Sequence, residues 1–388
     1  MKYDFSGIRK HSEGRIASKL LVGCGNSVKI NGETVWEDYD GFASAESKKP
    51  ITADSIYRLC SMSKPITGVA VMQLVEQRKI DLFDSIAKFV PTLTGFGVGA
   101  FGENGEFVKV ADAERDITVF DLLTHTSGLA QADFGFQMSD KVIMREYFKQ
   151  GAKLADVVPH FNKVLLDSQP GAAMGYGAIL AYDLLGYIVE VVSGMSYGEY
   201  LKKNLTGPLG MVDTTFHPTA EQMDRVVDLY EANGETWKLE PRSTTESMYG
   251  IPQSYEAGSA GLFGTLRDYQ TFAEMLLNFG TYKGVKILDA NLVRLMSTPL
   301  NRPDTVGYNI GQVWGLSMRV INNPDPNMVP PAGTFGWSGA YGTHFIVCPR
   351  CNLSAVYCTN LTNAGGSGAY TAFEFEQDIF GALKKAEG

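Results

Sequence analysis

Ser61-Met62-Ser63-Lys64 places a hydroxyl and an amine three residues apart at the head of an apolar run, Pro65 to Val75. On a helix, residues at that spacing share a face. A serine alcohol is a weak nucleophile until a neighbouring base takes its proton. A lysine forced into apolar surroundings loses charge and can become that base. The pair could therefore carry acyl transfer through a covalent serine ester. The same spacing recurs at Ser85-Ile86-Ala87-Lys88. There charged and apolar residues interleave between Ile80 and Pro91, as on a short surface helix with a solvated lysine. After Ser61 the residues are apolar nearly all round, the pattern of a buried helix, and Pro65 suits a first helical turn. On spacing alone, Ser61 is either a nucleophile or a helix-capping serine.

Three other patterns compete for attention. Gly97-Val98-Gly99-Ala100-Phe101-Gly102 satisfies a dinucleotide-binding glycine pattern, but no strand precedes it and a turn-like Glu103-Asn104-Gly105-Glu106 follows. Pyrophosphate binding needs a helix N-terminus at that point, so the match is set aside. Gly194-Met195-Ser196-Tyr197-Gly198 satisfies the nucleophile-elbow pattern. It reads equally as a helix ending at Gly194 and a capping box of Ser196 with Glu199 opening the next, and the spacing favours the caps. Cys348-Pro349-Arg350-Cys351 has metal-ligand spacing, with Cys358 and His344 nearby. A zinc site would want a second tight pair. Pro349-Arg350 reads more simply as a turn between two strands, and no metal is expected. The remaining cysteines, Cys24 and Cys60, bring the total to five, an odd set unlike a disulfide framework. Cys60 fits a small buried hydrophobe.

The elements that must position Ser61 follow from the rest of the chain. With 388 residues and 44% hydrophobic content it can bury a large core in two or three domains. A net charge of −9 without a basic run argues against nucleic acid or an anionic membrane as partner. No apolar stretch approaches the roughly 20 residues of a spanning helix. The N-terminus lacks a signal-peptide core, which points to the cytoplasm. Helices are predicted over 8–21, from Ser63 to about Lys79, and over 119–123, 142–150, 154–165, 179–192, 197–205, 266–279, 290–296 and 369–385. Asn31-Gly32 and Asn233-Gly234 mark hairpins. Strands are expected over 27–30, 33–36, 312–321, 334–347 and 353–360. Strands near both ends with helices between suggest one sheet completed by the two ends of the chain. The expected organisation is a sheet domain from residues 1–85 and 240–388 and a mainly helical domain from 86–239.

Further segments accompany Tyr57 to Pro65: Asp121-Leu122-Leu123-Thr124-His125-Thr126-Ser127-Gly128-Leu129, Pro170-Gly171 with Tyr176, and Tyr182 to Gly186. Ala260 to Thr265 with Asp268-Tyr269 and Gly336-Trp337-Ser338-Gly339-Ala340 with Gly342-Thr343 complete the set. Together they resemble the class C β-lactamase-like superfamily of penicillin-binding serine enzymes, most closely the family VIII carboxylesterases. In that resemblance Tyr57 to Pro65 matches the nucleophile motif. The Asp121 string is specific to the family, and Pro170 to Gly186 matches the segment bearing the family tyrosine. Ala260 to Tyr269 follows the usual pattern, and Gly336 to Thr343 matches the third motif. The match runs from about residue 8 to 385, in the family's order.

The resemblance implies an α/β (α+β) fold: a central antiparallel sheet flanked by helices, plus a helical domain, with the active site between them. It implies Ser61 as nucleophile, Lys64 as partner in proton transfer and Tyr176 as second acid–base group. A cation beside a phenol favours the phenolate. The backbone N–H groups of Ser61 and Ala340 would form the oxyanion hole. His125 is implied to be structural, near a turn. Two departures stand out. Tyr176-Gly177-Ala178 replaces the Tyr-x-Asn of lactamases and peptidases, and Trp337-Ser338-Gly339 replaces Lys-Thr-Gly. Losing that lysine removes a charge-assisted contact to a substrate carboxylate, worth about 1.5–3 kcal/mol. An indole offers an apolar face and one N–H donor instead. Ala178, Trp337, Ser338 and Gly339 are thus the expected substrate-binding residues. The expected activity is hydrolysis of small neutral carboxylic esters without a cofactor. Alternatives are a β-lactamase or D-peptidase-type amide hydrolase, an acyltransferase, or, from a different class, a non-catalytic binding protein.

Overall fold

Asn31 and Gly32 both adopt positive φ, 55° and 78°, and turn strand β1 (Gly23–Ile30) into β2 (Glu33–Ser44). That is the turn geometry whose twist matches paired strands. The structure, a computed structural model, describes residues 3–129, 149, 151–240, 254–301, 312–323, 325, 329–366 and 369–387. Six further strands join the hairpin: β3 (Lys49–Pro50), β4 (Gln312–Trp314), β5 (Arg319–Ile321), β6 (Phe335–Gly339), β7 (Thr343–Cys348) and β8 (Leu353–Thr359). The eight-stranded sheet runs β4-β5-β6-β7-β8-β1-β2-β3, antiparallel at every step. Pairing of β1 with β8 sews the two ends of the sequence together.

Six helices matter for the site: α1 (Ser6–Ala17), α2 (Ser63–Glu76), α3 (Val119–Leu123), α4 (Leu180–Ser193), α5 (Leu266–Leu277) and α6 (Tyr370–Glu387). Both faces of the sheet are covered, so its central strands are apolar almost throughout. Phe345, Val347, Val356 and Cys358 join the cluster containing α2, α4 and α5. The alternating residues Ile346, Cys348, Leu353, Ala355 and Tyr357 face the cluster of α1 and α6. Every residue of α2 from Ser63 to Leu74 is buried. The close approach this requires shows at Gly68, where a Cβ would lie 2.3 Å from Ser317 Oγ.

Several sequence expectations change in detail. The stretch 312–321 is two strands, because the chain turns at Gly315 to Ser317, where Ser317 has φ 69°. Likewise 334–347 divides into β6 and β7 at Gly342, φ 79°. The helix expected over 154–165 is one α-turn, Leu154–Val157, followed by a 3-10 stretch, Val158–Lys163, that contains Pro159. A π-helical turn, Lys202–Thr206, interrupts the helix that starts at Tyr197, which continues through Gly207–Leu209 and ends at Gly210, φ 70°. Gly97–Phe101 is itself a strand, paired with Phe107–Asp112. The helix expected over 142–150 lies largely outside the described residues. Among the described residues, no helix is long and apolar enough to cross a membrane.

Candidate active site

From Ser55 to Leu74 every residue is buried except Ser61. The chain enters from the short strand Ile56–Arg58 and makes one 3-10 turn, Cys60–Met62, before α2. Cys60 adopts φ 50°, a left-handed conformation uncommon for a non-glycine residue. Ser61 does not cap the helix: Met62 holds that position, without a side-chain cap. Its hydroxyl instead lies 3.2 Å from Lys64 Nζ.

Lys64 is fully buried, yet its amine is well supplied with partners. Nζ lies 2.5 Å from the Ala178 carbonyl and 2.9 Å from the Ser259 carbonyl. Carbonyls only accept, so they take two N–H bonds and leave the third tetrahedral position of Nζ directed at Ser61. The rings of Tyr176 and Tyr182 stand 5.2 Å and 5.4 Å from the amine, within cation–π range. Asp183 anchors the Ser259 loop: its carboxyl accepts from Ser259 N–H and Tyr255 O–H, each at 3.0 Å. Burial pushes Asp183 up to about 6, against the pull of the Ser259 hydrogen bonds and the Lys64 charge.

Tyr176 reaches the same spot from the loop before α4. His125 clamps that loop twice, its carbonyl accepting Gly175 N–H at 2.9 Å and its Nδ1 accepting Gly177 N–H at 3.1 Å. Burial, reinforced by the nearby Lys64 charge, holds His125 well below the usual histidine range. It is therefore neutral, with Nδ1 free to accept. The Tyr176 ring packs against His125, Trp337 and Trp314, with centroids at 4.7, 5.1 and 5.9 Å. Trp337 Nε1–H donates to the Tyr176 hydroxyl at 3.1 Å. Trp314, edge-on to Trp337 at 4.4 Å, was not singled out from the sequence. Its strand, β4, carries no motif, and only the sheet order brings it beside the site.

The turn after β6 closes the arrangement. Gly339 runs so close to the Ser61 turn that a Cβ there would lie 2.3 Å from the Leu59 carbonyl. Thr343 Oγ1 donates to that carbonyl at 2.9 Å, and Ala340 packs against the cluster containing Cys60. Ser338 behaves differently from the substrate-binding expectation. Its hydroxyl is buried against His344 Nδ1 at 2.7 Å, because alternate residues of a strand face opposite sides and Trp337 takes the site-facing one. Ala178 contributes its carbonyl, which accepts from Lys64 Nζ.

The rival motifs fall elsewhere. Ser196 and Glu199 form the capping box, and Gly194 ends α4 with φ 71°. Ser85 caps its own 3-10 turn through Ala87 N–H, and Lys88 pairs with Asp84 at 2.7 Å on the surface. Cys348 and Cys351 flank the turn between β7 and β8.

The Beta-lactamase family model matches residues 21–374. The chain belongs to the Beta-lactamase family. That membership places it among β-lactamase-fold serine hydrolases. It is similar to Protein Rv1367c of Mycobacterium tuberculosis, 32% identical over 331 residues, covering 82% of this chain and 80% of that protein. It is also similar to Esterase EstB of Burkholderia gladioli, 26% identical over 383 residues, with 92% and 90% covered. Among solved structures, EstCE1, described as a hydrolase with promiscuous acyltransferase activity, superposes with a TM-score of 0.77. It shares 24% identity, with 97% of this chain and 98% of that chain covered.

Proposed function

We propose that this family member is a carboxylesterase that cleaves small, neutral, mostly apolar esters through an acyl-Ser61 intermediate. The observation that carries the reading is the convergence of Ser61, the one accessible residue of a buried stretch, with Lys64 Nζ at 3.2 Å. Ser61 Oγ attacks the ester carbonyl, and its proton passes into the Lys64–Tyr176 pair. The backbone N–H groups of Ser61 and Ala340 receive the developing oxyanion. Collapse breaks the ester C–O bond, and the departing alcohol takes the proton back. Water then repeats the sequence on the acyl-serine, with the same pair as base and acid.

The ester preference rests on Trp337 and Trp314. Where related lactamases hold a cation for the substrate carboxylate, an indole stands here, and its N–H is already engaged by Tyr176. A desolvated carboxylate needs a cation or several free donors, whereas an apolar acyl or alcohol group gains roughly 25 cal/mol per Å² buried on the rings. Likeness to Esterase EstB and to EstCE1 supports the class. The test is labelling with a fluorophosphonate, followed by mass spectrometry of the modified peptide. Phosphonylation of Ser61 is expected. Label on another serine, or none, would end the reading.

A further inference from the structure

Behind the strand that carries Trp337, four polar side chains form a buried line. Arg319 of β5 pairs through Nη2 with Glu376 of α6. Glu376 Oε1 lies 3.1 Å from His344 Nε2, and His344 Nδ1 lies 2.7 Å from Ser338 Oγ. Ser338 stands opposite His344 in the β6–β7 register, so both project from the face away from Trp337 and Phe345. The His344 and Glu376 side chains are 1% and 5% exposed, and Ser338 is 4% exposed. Burying an ion pair costs desolvation, and the hydrogen bonds along this line hold its members in one geometry.

Geometry also fixes the protons. Burial alone would push the Glu376 carboxyl up, but the Arg319 charge and the His344 hydrogen bond outweigh it and hold Glu376 at about 2. As a carboxylate it only accepts, so His344 carries its hydrogen on Nε2. Burial, partly offset by Glu376, keeps His344 below the usual range and neutral at pH 7. Nδ1 therefore holds a lone pair, and Ser338 O–H donates to it. In an open cleft this order of groups would activate a serine. Here sheet and helix cover Ser338, so the line instead pins β6. One residue before Ser338 is Trp337, bonded to Tyr176. One residue after it, Gly339 runs against Leu59.

We propose that His344, held by Glu376, is a positioning residue that sets β6 through Ser338, and so places Trp337 and Ala340 relative to Ser61. The proposal rests on the esterase reading above. The test uses the full chain as Ser338→Ala, Ser338→Thr, His344→Gln and the Ser338→Ala/His344→Gln double variant. Active sites are titrated with a fluorophosphonate, and kcat and KM for a nitrophenyl butyrate are measured per titrated site. Ser338→Ala and His344→Gln should each lower kcat about tenfold or more with KM within about threefold. Ser338→Thr should keep most of the native kcat, and the double variant should be no worse than the worse single. Should His344→Gln not fold, Ser338→Ala and Glu376→Gln carry the test. A kcat per titrated site within about twofold of native in folded Ser338→Ala, or a loss confined to the titratable fraction, overturns the positioning role. Failure of the native protein to label at Ser61 overturns the esterase reading instead.

Discussion

Trp337 Nε1 and the phenol oxygen of Tyr176 are joined by a hydrogen bond of 3.1 Å that ties β6 to the loop before α4. The residues come from segments far apart in the chain, and on the proposed reading the indole stands where related enzymes hold a cation for the substrate carboxylate. Substrate preference should follow from it. Turnover of a butyryl ester should exceed that of a chromogenic cephalosporin by orders of magnitude. Trp337→Lys should narrow the gap, mainly by lowering KM for the anionic substrate. A plate assay on both proteins decides it. Cephalosporin turnover equal to ester turnover in the native protein would replace the esterase reading with a lactamase one.

Ser61→Ala should abolish ester turnover, since no other described serine hydroxyl meets Lys64. Ser196→Ala should leave turnover intact and cost about 1 kcal/mol of stability through its lost cap. Steady-state kinetics with a urea melt separate the two effects.

Lys64→Ala and Tyr176→Phe should each lower kcat by orders of magnitude. Because a coupled pair passes one proton, the double variant should lose little more than either single. Losses that multiply would show independent roles.

Asp183 links stability to pH. Its folded value, about 6, lies above the ordinary 3.8. The stability it contributes is therefore present below about pH 4 and lost as pH rises through 6. Asp183→Asn keeps an acceptor for Ser259 N–H but cannot ionise. Its stability relative to the native protein should rise by on the order of 2–3 kcal/mol between pH 4 and 7. Urea unfolding at the two pH values measures the difference, and equal differences at both would refute the assignment.

Gly339→Ala should be poorly tolerated, since the added Cβ would sit 2.3 Å from the Leu59 carbonyl and 2.2 Å from Thr343 Oγ1. Overpacking of this kind costs about 1–3 kcal/mol. Displacing β6 from the Ser61 turn should also lower kcat. A melting curve with kinetics on the soluble variant tests both.

Local chemistry made much of this protein legible in its sequence. The apolar run after Ser61 identified α2 as a buried helix, Asn31-Gly32 located a hairpin, and the Ser196–Glu199 spacing gave away a capping box. Each depends on residues a few positions apart, and short-range sterics and hydrogen bonding settle such features. The motifs also named Ser61, Lys64, Tyr176 and Trp337, which the fold does bring together. What the sequence could not decide was which side of a strand faces the site and what supplies each polar atom with a partner. Ser338 lies inside a motif, yet the period-two alternation of β6 turns it to the far face, onto His344. Trp314 lies in no motif and still packs on Tyr176 and Trp337, because sheet order alone sets β4 near β6. The carbonyls of Ala178 and Ser259 that hold Lys64 belong to backbone, which every residue carries and no pattern marks. Contacts between distant segments depend on how the sheet closes and the helices pack, and only the tertiary structure decides them.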